Sequence, residues 1–307
     1  MKTLMQVEPR TPIASAPYTI TQPGSYYLTT NLIATEYGIT VQANRVALDL
    51  MGFSITGPGA QGFGIRLLGT TNAALREIVV RNGMVSGFQD GVYFGYVQNG
   101  RIEHLTVSSN SMHGVTFDGS YGGACDGNTI AHCAISRNAD YAVGLIGTSG
   151  RCDGNTVRDC TIRDNPMYGV LLNGYYGQCG GNTVRDCTIS DNGFAGVDLN
   201  GSFGQCHGNT VCHCTIRNNA SYGICVMYSD GNRIENNHVS GATGATSWGI
   251  KSEGSSANLI LQNTCVGQPT NYAISANDTC GPIVTESGTL ATTNGAAALS
   301  PWANFSR

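Results

Sequence analysis

Residues 152–189 read CDGNTVRDCTIRDNPMYGVLLNGYYGQCGGNTVRDCTI, so that CDGNTVRDCTI returns as CGGNTVRDCTI 27 residues later. A motif recurring at a fixed step points to architecture before it points to metal or disulfide chemistry, even when it carries two cysteines. Anchored on it, Cys125, Cys152, Cys179 and Cys206 fall 27 apart, and Cys133, Cys160, Cys187 and Cys214 keep the same step. Each copy then contains a short apolar segment opened by a small residue: AVGL from Ala142, GVLL from Gly169, GVDL from Gly196 and GICV from Gly223. That segment outlasts the cysteines. It stands upstream at Gly38, Gly64, Gly91 and Gly114 and downstream as GIKS from Gly249 and AISA from Ala273, ten copies at intervals of 23 to 28. A third element is a pair of apolar positions five apart, as in Val157/Ile162 and Val184/Ile189, with Leu50/Ile55, Val80/Val85 and Ile102/Val107 before them.

Each unit therefore holds three short strands separated by Gly, Asn, Asp and Ser, and no stretch keeps a helical period. A unit of this size cannot bury its apolar residues alone, but stacked units share one core, each strand pairing with its counterpart in the next unit. This predicts an all-β fold, a single right-handed parallel β-helix of about ten coils and three strands per coil. Leucine-rich repeats would need a leucine-dense LxxLxLxxN unit, which is absent. At about 4.8 Å per coil the rod is about 45 to 50 Å long. Its open ends need covers. The reading is residues 1–37 as an N-terminal extension and cap containing YTITQPGSYYLTTNLI, 38–280 as the β-helix, and 281–307 as a C-terminal cap.

The balance of 16 Lys+Arg against 20 Asp+Glu, a net charge of -4, gives no electrostatic footprint for nucleic acid or an anionic membrane. No apolar run is long enough for a membrane span. The start, MKTLMQVEPRTPIAS, has no apolar core and no small-residue cleavage site, so it is no secretory signal as it stands. Twelve Cys nevertheless suit an oxidising compartment, which places the protein as secreted or on the cell surface, with any leader already removed.

Units such as GNTVRDCTISDNGFAGVDLNG resemble the NosD-like, pectate-lyase-like superfamily of β-helix repeat proteins over about residues 38–280. That superfamily includes pectate lyases, polygalacturonases, alginate epimerases, phage tailspikes and noncatalytic carriers. The resemblance implies that the slot shared by Cys133, Cys160, Cys187, Cys214, Asn237 and Asn263 faces inward at a turn and stacks into a ladder. Further columns run from Asn128 through Asn155, Asn182, Asn209 and Asn232 to Asn258, and from Asn138 through Asn165 and Asn192 to Asn219; stacked amides can satisfy turn backbone that the strands leave unpaired. For the cysteines three readings stay open: small buried side chains, disulfides between adjacent coils such as Cys125–Cys152 and Cys179–Cys206, whose spacing suits a bridge, and a metal site, disfavoured because alternate residues of a strand face opposite ways.

Ligands in such folds lie along one face. The third and fifth residues of the small-residue strands point outward, from Thr40/Gln42 and Arg66/Leu68 through Asp198/Asn200 to Lys251/Glu253 and Ser275/Asn277, and they vary where inward positions repeat. The candidate binding residues are Arg66, Tyr93, Tyr121, Asn173, Tyr176, Asn200 and Phe203, with Tyr121, Tyr176 and Phe203 at one equivalent position just beyond the strands, where rings could stack on sugars. The candidate catalytic residues are Asp198, Lys251, Glu253 and Asp118. A lyase needs a base beside a uronate, with Ca²⁺ or another cation to stabilise the charge; Lys251 with Glu253 is the best basic pair, and a surface ion pair is its bland alternative. No other cofactor and no metal ligand set is implied. Asp118 and Asp198, three coils apart, are too distant for a glycosidase pair, and the NTD, DD, GHG and RIK signatures of polygalacturonases are absent. The row His132, Asp159, Asp186, His213 reads as a solvated charge row with Arg158 and Arg185, and His104, His113, His207 and His238 read as isolated. Two functions follow: a carbohydrate-active protein binding an extended, uronate-containing polysaccharide, as a lyase or epimerase; or a noncatalytic repeat protein for adhesion, carbohydrate binding or assembly.

Overall fold

A computed structural model describes residues 9–241, 246–285 and 300–307. The described chain is a right-handed parallel β-helix without helices. Eleven strands, from Tyr18–Ile20 to Thr270–Ala273, form one parallel face, and a 22-stranded sheet, folded at sharp corners, forms the other two. The 27-residue step is the ladder register itself: Val157 pairs with Val184, Ile162 with Ile189 and Val170 with Val197.

Each coil is built by the same local chemistry. Short Thr-Val-Arg and Thr-Ile-x strands use β-branched residues that fit a pleated surface. Alternation sends Val and Ile inward, where Val157, Ile162, Val170 and Leu172 are fully buried. Burial of each such side chain contributes about 1.5–3 kcal/mol. At the corner between the two other faces stand His132, Asp159, Asp186 and His213, all with φ of 53 to 55°. Asp and His tolerate this left-handed region better than most residues, which explains why they fill the corner.

The interior columns behave as their repetition implies. In the long Asn column the Asn182 side-chain carbonyl accepts from the Asn155 backbone N–H (2.8 Å) and amide (3.1 Å), while its own amide donates to the Cys152 carbonyl at 2.9 Å and to Asn209 at 3.1 Å. The column ends on Asp278, which accepts from Asn258. Asn110, not anticipated, begins the other Asn column. The Cys/Asn slot is one column by function: Cys160 points its thiol at the carbonyl two residues earlier (3.1 Å), and Asn263 donates its amide to the equivalent carbonyl (2.9 Å). Cys125, Cys152, Cys179 and Cys206 form a further column continued by Ser229 and Ser255, since Cys206 and Ser229 both point at a carbonyl about one coil back. Thiol and hydroxyl are interchangeable there as small donors.

All twelve cysteines are free, so the bridges Cys125–Cys152 and Cys179–Cys206 are not formed. Burial pushes the Cys152 and Cys206 thiols well above their ordinary range, which keeps them protonated and unreactive.

Two readings of register need correction. Val80 pairs with Leu48, not Leu50, because two extra residues bulge before Ile55; Leu50 turns inward and fills the space beside Gly83. In the last coil Lys251 pairs with Ala273, so the outward continuation there is Ala273 and Ser275. Residues 9–37 supply strands that pair in parallel with the first full coils, Tyr26 opposite Leu48 and Leu32 opposite Ile55. Of the tail assigned to a cap, residues 286–299 lie outside the described part; Asn304–Ser306 pairs with Thr264–Val266.

Candidate functional face

The outer surface of the eleven-stranded sheet carries three columns. One comprises the residues just before the small position: Tyr37, Phe63, Asp90, His113, Tyr141, Tyr168, Ala195 with its neighbour Phe194, Tyr222 and Trp248, brought into line by the strand register. Their rings touch in separate runs. His113 stacks on Tyr141 at 3.9 Å and 9°; Tyr168, Phe194 and Tyr222 follow at 5.2 and 5.3 Å edge to face; Tyr222 stacks on Trp248 at 5.1 Å and 11°. This aromatic rail was not picked out from the sequence. The signal was present: an aromatic precedes the small residue in most copies, as in YGIT, FGIR, YGVL, YGIC and WGIK.

Beside the rail runs the column Thr40, Arg66, Tyr93, Thr116, Gly144, Leu171, Asp198, Cys225 and Lys251. Although outward, its middle is covered by the neighbouring rings: Asp198 is 3% exposed and Cys225 fully buried. Burial raises the Asp198 carboxyl to about 7, and its Oδ1 has no hydrogen-bond partner. The Cys225 thiol is pushed up by the same burial and by Asp198.

The third column contains Asp118, Asn173 and Asn200, whose side-chain oxygens accept from the backbone N–H two residues on (2.8, 2.9 and 3.0 Å). They fix the turn that follows. In that turn the coils approach so closely that a Cβ on Gly204 would lie 1.9 Å from the Gly174 carbonyl oxygen. The aromatics are thereby thrown outward: Tyr121, Tyr176 and Phe203 have φ of 52 to 56° and are 79, 58 and 76% exposed. Tyr176 stacks on Phe203 at 5.3 Å. The face thus runs from the rail to the Asn column, roughly 16 Å across by strand rise over the five residues from Tyr168 to Asn173, and the second set of aromatics bounds it in the turn beyond, making a trough between two aromatic walls.

The face's ionisable groups pair locally. His113 is not isolated: its Nδ1 lies 2.5 Å from Asp90 and its Nε2 3.4 Å from Asp140, because register places Asp90 one coil below and the turn before Tyr141 places Asp140 one coil above. Burial opposes its charge, but hydrogen bonds to Asp140 and Asp90 outweigh it and push it to about 9. The Tyr93 hydroxyl donates to Asp118 at 2.7 Å, and burial, then Asp118, push the phenol up. Lys251 lies 2.7 Å from Glu253, which raises it, and sits 4.7 Å from the Trp248 ring centre. Arg66 lies over Tyr37 at 4.6 Å. Of the predicted residues, the fold brings together Tyr93 with Asp118, Lys251 with Glu253, and Tyr176 with Phe203; it keeps Asp118, Asp198 and Lys251 in separate coils. Elsewhere, Asp159 and Asp186 bond Arg158 and Arg185, as a solvated charge row requires, and His104 stacks on His132 at 5.0 Å. Among the described residues no group of three His, Cys, Asp or Glu side chains is placed to hold a metal ion, and no helix is long and apolar enough to cross a membrane.

The sequence matches the right handed beta helix region family over residues 31–179 and 151–306. No curated protein matches it. Among solved structures it is similar to the Dettilon tailspike protein gp208, at 12% identity and a TM-score of 0.64, covering 97% of this chain and 61% of that one. It is also similar to the A-module of the mannuronan C-5 epimerase AlgE6 of Azotobacter vinelandii (13%, 0.59, 88% of each) and to the periplasmic alginate epimerase AlgG (12%, 0.54, 84% and 76%). At these identities the likeness establishes the fold.

Proposed function

The chain belongs to the right handed beta helix family, and from that premise we propose that it binds an extended polysaccharide along the outer face of its eleven-stranded sheet, outside the cytoplasm. The observation that carries the reading is the aromatic rail from Tyr168 through Phe194 and Tyr222 to Trp248. Sugar rings present apolar C–H faces that stack on aromatic rings, and partly exposed rings lined along a rod offer one platform after another. The second wall of Tyr121, Tyr176 and Phe203 and the amides of Asn173 and Asn200 add contacts across the trough. Relatives in fold named as mannuronan and alginate epimerases are proteins of polysaccharide chemistry, which agrees with this reading.

The face is a better binding surface than a catalytic one. A lyase or epimerase needs a deprotonated base that can reach the sugar at working pH. Lys251 is held charged by Glu253 and His113 by its two carboxylates, and Asp198 is covered. Lys251, Glu253, Asp118 and Asp198 are accordingly proposed as structural and electrostatic parts of the trough, and Ca²⁺ has no part in the reading. The test is a panel of soluble polysaccharides in affinity electrophoresis, followed by long incubation with each ligand bound, with and without Ca²⁺. Retardation without new reducing ends, unsaturated products or altered C-5 configuration of uronates by NMR is expected. Rapid product formation would restore an enzyme; absence of retardation across the panel would remove the proposal.

A further inference from the structure

Charge on the coils is segregated rather than scarce. The segments that build the middle of the trough, residues 141–149, 168–177, 194–204 and 222–229, contain one Asp, Glu, Lys, Arg or His between them, Asp198, and it is buried. The same coils carry Arg158, Arg163, Arg185 and Arg217 with Asp159 and Asp186 on the other faces and their corners. At the two ends of this stretch the cations are already countered, His113 by Asp90 and Asp140 and Lys251 by Glu253.

We infer that the middle of the trough takes an electrically neutral glycan and discriminates against polyuronates. The inference rests on the binding reading above and names its substrate class. A polyuronate has a carboxylate on every sugar. Laid along the rail from Tyr168 to Tyr222, it would press those carboxylates against rings, amides and aliphatic side chains, where the one cation near the rings, Lys251 at 5.7 Å from the Tyr222 ring centre, is already paired with Glu253, and desolvating an unpaired charge is strongly unfavourable. The one acid beneath, Asp198, would add repulsion wherever it ionises. A neutral sugar meets none of these costs: its ring faces stack on Tyr168, Phe194 and Tyr222, and its hydroxyls find amide and phenol partners.

The test uses the whole chain with galactomannan and mixed-linkage β-glucan as neutral probes and alginate and polygalacturonate as anionic ones, titrated at low and high salt. At least one neutral probe is expected to bind about tenfold or more tightly than either polyuronate, with affinity unchanged by salt, since stacking is not screened. Adding cations by Ile146→Lys and Met227→Lys is expected to create polyuronate binding that high salt abolishes. If a polyuronate binds wild type at least as tightly as the neutral probes, and Tyr222→Ala weakens it, the inference fails while the binding reading stands. If none of the four binds, both fail.

Discussion

Along the column from Asn128 to Asn258 six successive coils carry the same residue, whereas along the column from Thr116 to Lys251 six successive coils carry six different ones. The columns belong to the same coils and share one repeat. They differ in what a neighbour demands. Each interior amide both accepts from the coil below and donates to the coil above, so replacing one orphans partners on two sides. Each outer side chain meets solvent or a ring, and neither requires identity with the next coil. Repetition therefore reports internal bonding, and variation marks the surface that is free to acquire a function.

The largest effect should come from breaking the repeated column. Asn182→Ala removes the acceptor of two Asn155 donors and the donor to the Cys152 carbonyl. Each buried group left unsatisfied costs about 1–3 kcal/mol, so the loss should be about 4 kcal/mol in urea denaturation. A loss below about 1 kcal/mol would mean that the ladder is decoration.

Asp198 offers a sharper contrast, because an outer residue is here buried like an inner one. Its folded pKa is raised to about 7, above the unfolded value. A raised carboxyl contributes stability that is present below the unfolded pKa and lost as pH rises through the folded one. Asp198→Asn should therefore match wild type near pH 3 and exceed it by about 4 kcal/mol at pH 8. Equal stability at both pH values would show that Asp198 reaches solvent, and would return it to the list of accessible acids.

The smallest effect belongs to the exposed corner. Asp159→Asn breaks the pair with Arg158 at 2.7 Å and should change thermal stability by under about 0.5 kcal/mol, as exposed ion pairs do.

The fold was legible because its signal repeats: one mistaken coil, such as Leu50 for Leu48, leaves the other registers intact. The Asn and Cys columns could be read from spacing alone. What the thiols do could not, since a 27-residue step suits a disulfide and a stacked donor equally; Ser229 and Ser255 in the same slot show that a small donor suffices. The face was half legible. Counting outward from the small residue found the trough floor, but the aromatic one position before it was overlooked, and with it the rail. Exposure was also misjudged there: alternation gives the direction of Asp198, and only the large rings of the coils around it decide that it is covered. The His113 cluster depends on two carboxylates 23 and 27 residues away, close only because the coils stack.

The central claim is that the rail holds the glycan. Its most direct test is the dissociation constant of the tightest-binding polysaccharide for wild type, for Tyr222→Ala with Trp248→Ala, and for Asp159→Asn as a control on another part of the coil. Loss of two stacking rings should weaken binding about tenfold to a hundredfold, at about 0.5–1.5 kcal/mol per ring beyond lost area, with the control unchanged. Unchanged affinity in the double variant, with its β-helix intact by circular dichroism, would contradict the account.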